Sequence, residues 1–472
     1  MHASLNKLKP GAHIHMMGIC GTAMGSLAGI LKSMGYKVSG SDQNVYPPMS
    51  TQLTGLGIHL QEGYRPENLQ PRPDLVIVGN VISKTNPEAA ALLQSDIPYT
   101  SLPKAMGEFV IGERQSMVIA GTHGKTTTTS MMAWVAETCE MSPGFLIGGI
   151  PENFSHSFRA PAANWFVIEG DEYDTAFFDK VPKFVHYRPR HVILTSIEFD
   201  HADIYADLQA VKDAFQALVE LIPADGTLVA CHDDDNVLDV ITHAKCRVVT
   251  YGLKGGDYRA VERAMLMNRS HFAVQKDGEK IADVALKVFG EHNTLNALAV
   301  YALVKTLGWP ESKVLQGLAS FSGVKRRQQF LGEPGGVAVI EDFAHHPTAV
   351  RMTIESIRER YPSRRVLAVF EPRSATSRRK VFQRDYVEAF SRADASFIAE
   401  AFDQSKIQED ERFSSDQLVQ DLKKKGVNAH LGANVDQLVQ QIRQTARKGD
   451  VLLIMSNGGF GGIYQKLLAA LA

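Results

Sequence analysis

The sequence predicts three α/β domains in series, and three observations predict it. Short apolar runs alternate with helical patterns almost from end to end, which gives parallel sheets covered by helices. At 472 residues the chain is too long for one core. Glycine turns stand where apolar runs hand over to helical patterns, in "GICGTAMG" and in "GTHGK". In order, "HIHMMG", "KVSGSD" and "LVIVGN" read as the first strands, separated by helical stretches such as "TAMGSLAGILKSMG". A second series starts with "MVIAG" and continues through "FVIEG", "VILTSI", "TLVAC" and "RVVTYG", with helices such as "DLQAVKDAFQALVELI" between them. The segment from Met267 to Phe289 alternates around "KDGEK" and reads as a hairpin, followed by the helix "HNTLNALAVYALVKTLG". A third series holds "VAVIEDF", "VLAVFEP", "ASFIAE" and "VLLIMS". Boundaries are expected near Gly107 and Gly323.

Composition narrows the function classes. With 44% hydrophobic and 22% charged residues, this is an ordinary soluble globular composition. The net charge of -2 gives no global pull toward nucleic acid or an anionic membrane. No apolar run approaches the ~18 residues of a membrane span. The N-terminal "MHASLNKLKPGAHIHMMG" lacks an apolar signal region, so a cytoplasmic location is expected. Cys20, Cys139, Cys231 and Cys246 form no CxxC pair and read as idle thiols in a reducing compartment. Arg364, Arg365, Arg378, Arg379 and Lys380 read as a solvated face, not a nucleic-acid surface. Arg373 is set apart because it falls just past a strand end.

The stretch "MVIAGTHGKTTTTSMMAW" carries the first chemistry. An apolar strand runs into Gly121-Thr122-His123-Gly124, then Lys125, Thr126 and Thr127 at a helix start. Backbone N–H groups of such a turn point at an anion, the lysine adds a point charge, and a threonine hydroxyl can reach Mg²⁺. The spacing departs from GxxxxGK[ST], since Ile119 stands where the first glycine would. A nucleoside triphosphate is the expected ligand, and the loop is expected to leave Lys125 at the surface. Two acidic clusters follow at strand ends: Glu169, Asp171, Glu172 and Asp174 in "FVIEGDEYD", then Glu198, Asp200, His201 and Asp203 in "ILTSIEFDHAD". Ligands of open α/β sheets sit beyond those ends, and carboxylates with an imidazole suit Mg²⁺ or Mn²⁺ beside a triphosphate. In the first domain, Gly18, Gly21 and Gly25 do not have GxGxxG spacing, which weakens an NAD reading. A helix N-terminus binding a diphosphate remains sound.

The motifs "AGTHGKTTTT", "EGDEYD", "IEFDH", "GEHNTLNALA", "FSGVKRR", "EDFAHHPTAV" and "SNGGFGG" occur in an order that resembles the Mur ligases. Those enzymes build the peptide of bacterial cell-wall precursors. The resemblance covers essentially the whole chain. It implies a Rossmann-like N-terminal domain over 1–107 that binds the UDP substrate and a central P-loop ATPase-like domain over 108–323. A C-terminal Rossmann-like domain over 324–472 would bind the peptide substrate. Two activities in the family share the histidine of the phosphate loop and the "AHHP" motif. One adds L-alanine to UDP-N-acetylmuramate; the other reattaches the recycled tripeptide L-Ala-γ-D-Glu-meso-diaminopimelate. "MGICGTAMGSLAGIL" and "VFEPRSATSRR" look like the second.

Carried over by residue, the resemblance gives Gly121, Thr122, His123, Gly124, Lys125, Thr126 and Thr127 to the triphosphate. Thr126, Glu169 and His201 would hold Mg²⁺, with two ions expected. Asn293 and Asn296 would read adenine, Arg326 and Asp342 would contact the nucleotide, and His345 would help place the incoming amine. Gly18, Cys20, Gly21, Thr22 and Asp42 would take the UDP substrate, and Arg373 a carboxylate of the peptide. Relatives with a carbamylated lysine carry it where Phe215 stands here, with Lys212 one face away, so that modification is not expected. The implied reaction is ATP-dependent amide formation through an acyl phosphate. Such an intermediate must be kept from water, which makes closure of the third domain over the second a sensible requirement. ATP, UDP-N-acetylmuramate and the tripeptide are the expected partners, with neither nucleic acid nor membrane. A nucleotide-dependent switch and a UDP-sugar dehydrogenase remain as rivals from other classes.

Overall fold

Apolar runs of four or five residues with no polar interruption can be buried on both faces only in a covered parallel sheet, and such runs form the sheet centres here. The computed structural model describes residues 8–45, 49–154 and 156–472. The start of the stretch read for an export signal lies outside these. By packing, the chain forms two units. One holds the residues up to Glu198 with Gln209–Arg259 and Leu298–Leu318, and the other holds Phe199–Leu208, Ala260–Ala297 and Ala319–Ala472.

The first unit contains two sheets. Strands β1 (His13–Met17), β2 (Lys37–Asp42), β3 (His59–Glu62), β4 (Leu75–Val78) and β5 (Tyr99–Ser101) form a parallel sheet in the order β3-β2-β1-β4-β5. Order reverses beside β1, so the crevice beyond its C-terminal end is the place for a ligand. The second sheet centres on β6 (Gln115–Ala120), flanked by β7 (Gly144–Leu146), β8 (Phe158–Arg159) and β9 (Trp165–Gly170). A short antiparallel ribbon, β10 (Asp174–Ala176) with β11 (Asp179–Pro182), stands apart from it. Strands β12 (His191–Leu194), β13 (Thr227–Cys231) and β14 (Arg247–Gly252) complete the order β14-β13-β12-β6-β9-β7-β8. Every pair in that row is parallel except β7 with β8.

Strand β15 (Tyr258–Leu266) begins in the first unit, where Tyr258 and Arg259 pair with β14. From Ala260 it belongs to the second unit, where β15, β16 (Arg269–Lys276) and β17 (Glu279–Leu286) are consecutive neighbours. The expected hairpin is β16 with β17, paired antiparallel; the alternating burial of β15 marks a further strand that the hairpin reading left out. Its main sheet is built from β18 (Gln329–Gly332), β19 (Ala338–Asp342), β20 (Val366–Phe370), β21 (Ala395–Ala399), β22 (Asn428–Gly432) and β23 (Val451–Met455). The order is β18-β19-β23-β20-β21-β22, parallel apart from the β18 edge. Helices cover both faces. One core gathers Ile354, Ile357, Phe370, Tyr386 and Phe390, and the opposite one Val369, Phe397, Leu438, Ile442 and Leu467.

Candidate active site

Strand β6 ends at Ala120, and the helix Lys125–Thr138 begins five residues later. Gly121 permits the turn: its φ is +127°, and a Cβ there would lie 2.2 Å from Thr195 Oγ1. Gly124 enters the helix in the left-handed region at φ +82°. The loop is pinned to the end of β12. Thr122 N donates to Ser196 O at 2.9 Å, His123 N to Ser196 Oγ at 3.1 Å, and Thr195 Oγ1 to His123 O at 2.6 Å. Glu198 N donates to Thr122 Oγ1 at 2.9 Å, and His123 Nε2 faces Glu198 Oε2 at 3.2 Å. The result is a rigid cradle in front of the first-turn N–H groups of Lys125, Thr126 and Thr127, which suits a phosphate.

Lys125 is not at the surface as expected. Its side chain is 16% exposed and pairs with Glu172, 2% exposed, at 2.9 Å. Lys125 Nζ also donates to Gly121 O at 2.6 Å. Burial pulls its pKa down, but Glu172 and Asp171 outweigh that and hold it above the ordinary lysine value. The acids of "EGDEYD" thus divide by role: Asp171 pairs with Lys183 at 2.6 Å, Asp174 with Lys180 at 2.8 Å, and Glu172 with Lys125. Glu169 instead accepts from neutral donors, Thr126 Oγ1 at 3.1 Å and Gly148 N at 2.5 Å. The register Ile119↔Glu169 between β6 and β9 brings it beside the loop. A hydroxyl and a carboxylate next to a phosphate cradle are hard oxygen donors that fit Mg²⁺.

His201 lies in the second unit, at φ +55°, a costly conformation for a residue with a Cβ. Its N–H donates to Asp200 Oδ1 at 2.7 Å, which helps to hold it there. Thr376 Oγ1 donates to the same oxygen at 2.6 Å. Burial would raise the Asp200 pKa, but His201, His345 and His346 together hold the carboxyl well below the usual range. His346 caps the helix Pro347–Arg360, with its ring accepting from Thr348 N at 3.3 Å. His345 Nδ1 faces Phe343 O at 3.1 Å, and the His345 carbonyl accepts from Tyr386 OH. Asp203 is exposed.

Asp342, at the end of β19, is buried and accepts from Ala344 N at 2.7 Å and Gln328 N at 2.8 Å. Burial pushes its pKa up against the pull of Arg327. Arg326 adopts φ +63° and is tied to its own sheet: Nε to Glu341 at 2.7 Å, and one terminal nitrogen to Ser456 O at 3.0 Å. The two asparagines are coupled. Asn293 Nδ2 donates to Phe289 O at 2.8 Å and faces His292 Nε2 at 3.1 Å, and its Oδ1 accepts from Asn296 Nδ2 at 3.2 Å. Asn293 thus joins Asn296 to the carbonyl of Phe289, which fixes the two amides relative to each other.

Around β1 in the first unit, Gly18 N and Ile19 N donate to Ser41 O at 2.8 and 3.1 Å, and Cys20 N donates to Asp42 Oδ2 at 2.9 Å. Asp42 thus shapes the turn that leads through Gly21 into the helix Thr22–Ser33. Burial, with Asp42 nearby, pushes the Cys20 thiol up to about 11, so it is no nucleophile at neutral pH. Phe215 is buried against Phe184, and Lys212 pairs with Asp239.

Arg373 follows β20 and meets Glu371 at 3.4 Å. Arg364, Arg365 and Arg379 are engaged with Glu333, Asp450 and Glu411 at 2.7, 2.6 and 2.8 Å. Sequence reasoning missed Thr376 and the role of Glu172 as the partner of Lys125. Their signals were present in "SATSRR" and "EGDEYD", but pairing across 176 and 47 positions depends on sheet order.

Three family descriptions match the chain: Mur ligase family catalytic domain over 13–114, Mur ligase middle domain over 119–304, and Mur ligase glutamate ligase domain over 326–458. The UDP-N-acetylmuramate–L-alanyl-γ-D-glutamyl-meso-2,6-diaminoheptandioate ligase of Escherichia coli K12 is 42% identical over 97% of this chain and 98% of its own. The UDP-N-acetylmuramate–L-alanine ligase of Clostridium tetani is 34% identical over 98% of each chain. Among solved structures, a murein peptide ligase from Psychrobacter arcticus matches with TM-score 0.71 and 35% identity, covering 98% of this chain and 99% of that one. The UDP-N-acetylmuramate–alanine ligase of Thermotoga maritima matches with TM-score 0.80 and 26% identity, covering 97% and 98%. Among the described residues, no helix is long and apolar enough to cross a membrane.

Proposed function

The chain belongs to the Mur ligase family, and we propose that it joins L-Ala-γ-D-Glu-meso-diaminopimelate to UDP-N-acetylmuramate at the expense of ATP, in peptidoglycan recycling. The observation that carries the ATP-dependent part is the cradle of Gly121 to Thr127, with Lys125 inside it and Glu169 beside it. Higher identity to the tripeptide ligase than to the alanine ligase supports the peptide substrate. So does an arginine past β20, whose planar fork suits a carboxylate. In this reading, residues 1–107 bind the UDP substrate, 108–323 ATP, and 324–472 the peptide.

The lactyl carboxylate of UDP-N-acetylmuramate attacks the γ-phosphorus, the bond to the bridging oxygen breaks, and ADP leaves. The tripeptide's alanine nitrogen then attacks the acyl carbon. Phosphate departs with one carboxylate oxygen, and the nitrogen gives up its proton. Bringing a carboxylate to a phosphoryl group sets like charges together, so positioning and fixed positive charge are the protein's main contribution. Lys125 exchanges Glu172 for a phosphate oxygen, and the first-turn N–H groups orient the chain of phosphates. Thr126, Glu169 and His201 would hold two Mg²⁺ ions, which neutralise phosphate charge when bound. Asn296, set by Asn293, reads adenine; Arg326 and Asp342 contact the nucleotide, and His345 orients the amine. Gly18, Cys20, Gly21, Thr22 and Asp42 present the first helix to the UDP diphosphate. The test is isotopic. Substrate with an ¹⁸O-labelled lactyl carboxylate should transfer one ¹⁸O to the released phosphate; unlabelled phosphate would exclude the acyl phosphate.

A further inference from the structure

Phe402 stands 44% exposed in the loop after β21, an unfavourable place for a bare phenyl ring. What it touches explains it: the Arg373 guanidinium carbon lies 3.8 Å from the centre of its ring. Gly458 presses on the same side chain. A Cβ built on Gly458 would lie 2.3 Å from both Cδ and Nε of Arg373 and 2.9 Å from Cζ, so only glycine leaves room for the arginine there. Arg373 is therefore confined between a backbone and an aromatic face.

Both walls are fixed. Gly458 N donates to Ser456 Oγ at 2.9 Å, and that hydroxyl donates to Glu371 Oε2 at 2.5 Å. Arg326 holds the carbonyl of Gly458 at 2.5 Å. On the other wall, Phe402 N donates to Pro372 O at 2.9 Å, which ties the ring to the residue before Arg373. Glu371 is a weak competitor for the guanidinium. One of its oxygens is engaged by Ser456, and the other meets Arg373 at 3.4 Å, beyond a good charged hydrogen bond. The arginine side chain remains 33% exposed. It is thus oriented, weakly neutralised and reachable from solvent.

We infer that Phe402 and Gly458 form a slot that holds Arg373 flat, and that this slot selects a peptide ending in a carboxylate on an aliphatic stem. The inference rests on the reading of the chain as a peptide ligase and goes beyond it by naming Phe402 as the positioning residue. The guanidinium edge takes the carboxylate in a bidentate pair, and the exposed part of the phenyl ring packs against the methylene stem. A lysine at 373 would be a point charge that neither wall could orient.

Steady-state kinetics of Phe402→Ala, Phe402→Tyr, Arg373→Ala and the double variant Arg373→Ala/Phe402→Ala test the slot. Phe402→Ala should raise the KM for tripeptide about 3- to 10-fold, the loss of a partly exposed cation–π contact. Its kcat and its KM for ATP and UDP-N-acetylmuramate should stay within twofold. Phe402→Tyr should keep the wild-type KM, since the ring face is retained. In the Arg373→Ala background, removing Phe402 should add nothing. Wild type should prefer the diaminopimelate tripeptide to one ending in L-lysine, which lacks the distal carboxylate, and Phe402→Ala should narrow that preference. An unchanged KM in Phe402→Ala, an equal penalty with or without Arg373, or a Tyr variant as poor as Ala would each overturn the slot. If wild type turns over the tripeptide and these results appear, the slot alone fails. If wild type makes no product from the tripeptide, the peptide-ligase reading fails first.

Discussion

Lys125→Ala should cost stability as well as turnover, because the structure gives the ammonium a buried partner. The substitution removes donors that reach Glu172 at 2.9 and 3.1 Å and Gly121 O at 2.6 Å, and leaves a carboxylate 2% exposed without its cation. Breaking a fully buried pair from one side costs ~3–5 kcal/mol. The lysine here is 16% exposed, so the lower figure, about 3 kcal/mol, is the better one. For a unit of this size that is a fall of roughly 6–12 °C in the melting temperature without nucleotide. The pair's contribution has a definite pH dependence. Lys125 is held above the ordinary lysine value, so its contribution is fully present below the unfolded pKa of about 10.4 and is lost as pH rises through the higher folded value. The melting deficit should therefore be the same at pH 7 and pH 9. Lys125→Met combined with Glu172→Gln removes both charges and should recover most of the melting temperature. Neither variant should recover ADP formation, which is expected to fall ~10²-fold or more for want of charge on the transferring phosphoryl group. Differential scanning fluorimetry and a coupled ADP assay read the two quantities separately. A Lys125→Ala protein melting within 1 °C of wild type would refute the structural part of the reasoning, and turnover within a factor of three the catalytic part.

Glu169→Gln and His201→Ala should each raise the Mg²⁺ concentration for half-maximal rate by about 10-fold or more; wild-type Mg²⁺ dependence in both would remove them from the metal site. Asn296→Ala should raise the KM for ATP about 10-fold and narrow the preference for ATP over GTP, with the tripeptide KM unmoved. An unaltered ATP/GTP ratio would place adenine elsewhere. Thr376→Val deletes a 2.6 Å hydrogen bond to the buried Asp200 carboxylate and should cost ~1.5–3 kcal/mol, with Thr376→Ser close to wild type. Since the folded Asp200 pKa is depressed, that contribution is complete above the unfolded value of about 3.9 and is lost only as pH falls through the folded one. A melting deficit that disappears between pH 7 and pH 5 would contradict this.

Much of the cradle was legible because its parts are adjacent in sequence. A buried strand, a glycine turn, a lysine and threonines at a helix start need only local geometry, and β6, Gly121 and the helix Lys125–Thr138 form as that pattern predicts. The acids at strand ends were legible for the same reason. Which acid serves which partner was not. Glu172 meets Lys125, while Glu169 meets Thr126, because β9 pairs beside β6 in one particular register. Periodicity says that both are strands but not that they are neighbours. The stack of Phe402 on Arg373 was hidden for the same reason, since it joins loops after β20 and β21 across 29 positions. Arg326 and His201 show a different gap. Their left-handed backbones at φ +63° and +55° come with bonds from their own N–H groups to the side chains of Gln329 and Asp200, close by in the chain, and neither Arg nor His is a residue type that signals such a turn.

The central claim is the identity of the incoming amine, and a competition assay tests it most directly. With ATP, Mg²⁺ and UDP-N-acetylmuramate saturating, equal concentrations of L-Ala-γ-D-Glu-meso-diaminopimelate and L-alanine are offered together, and the two amide products are counted by mass spectrometry. The account predicts that the tripeptide product exceeds the alanine product by at least about 10²-fold, the discrimination that one or two charged hydrogen bonds to the peptide can supply. A mixture dominated by the L-alanine adduct would contradict it.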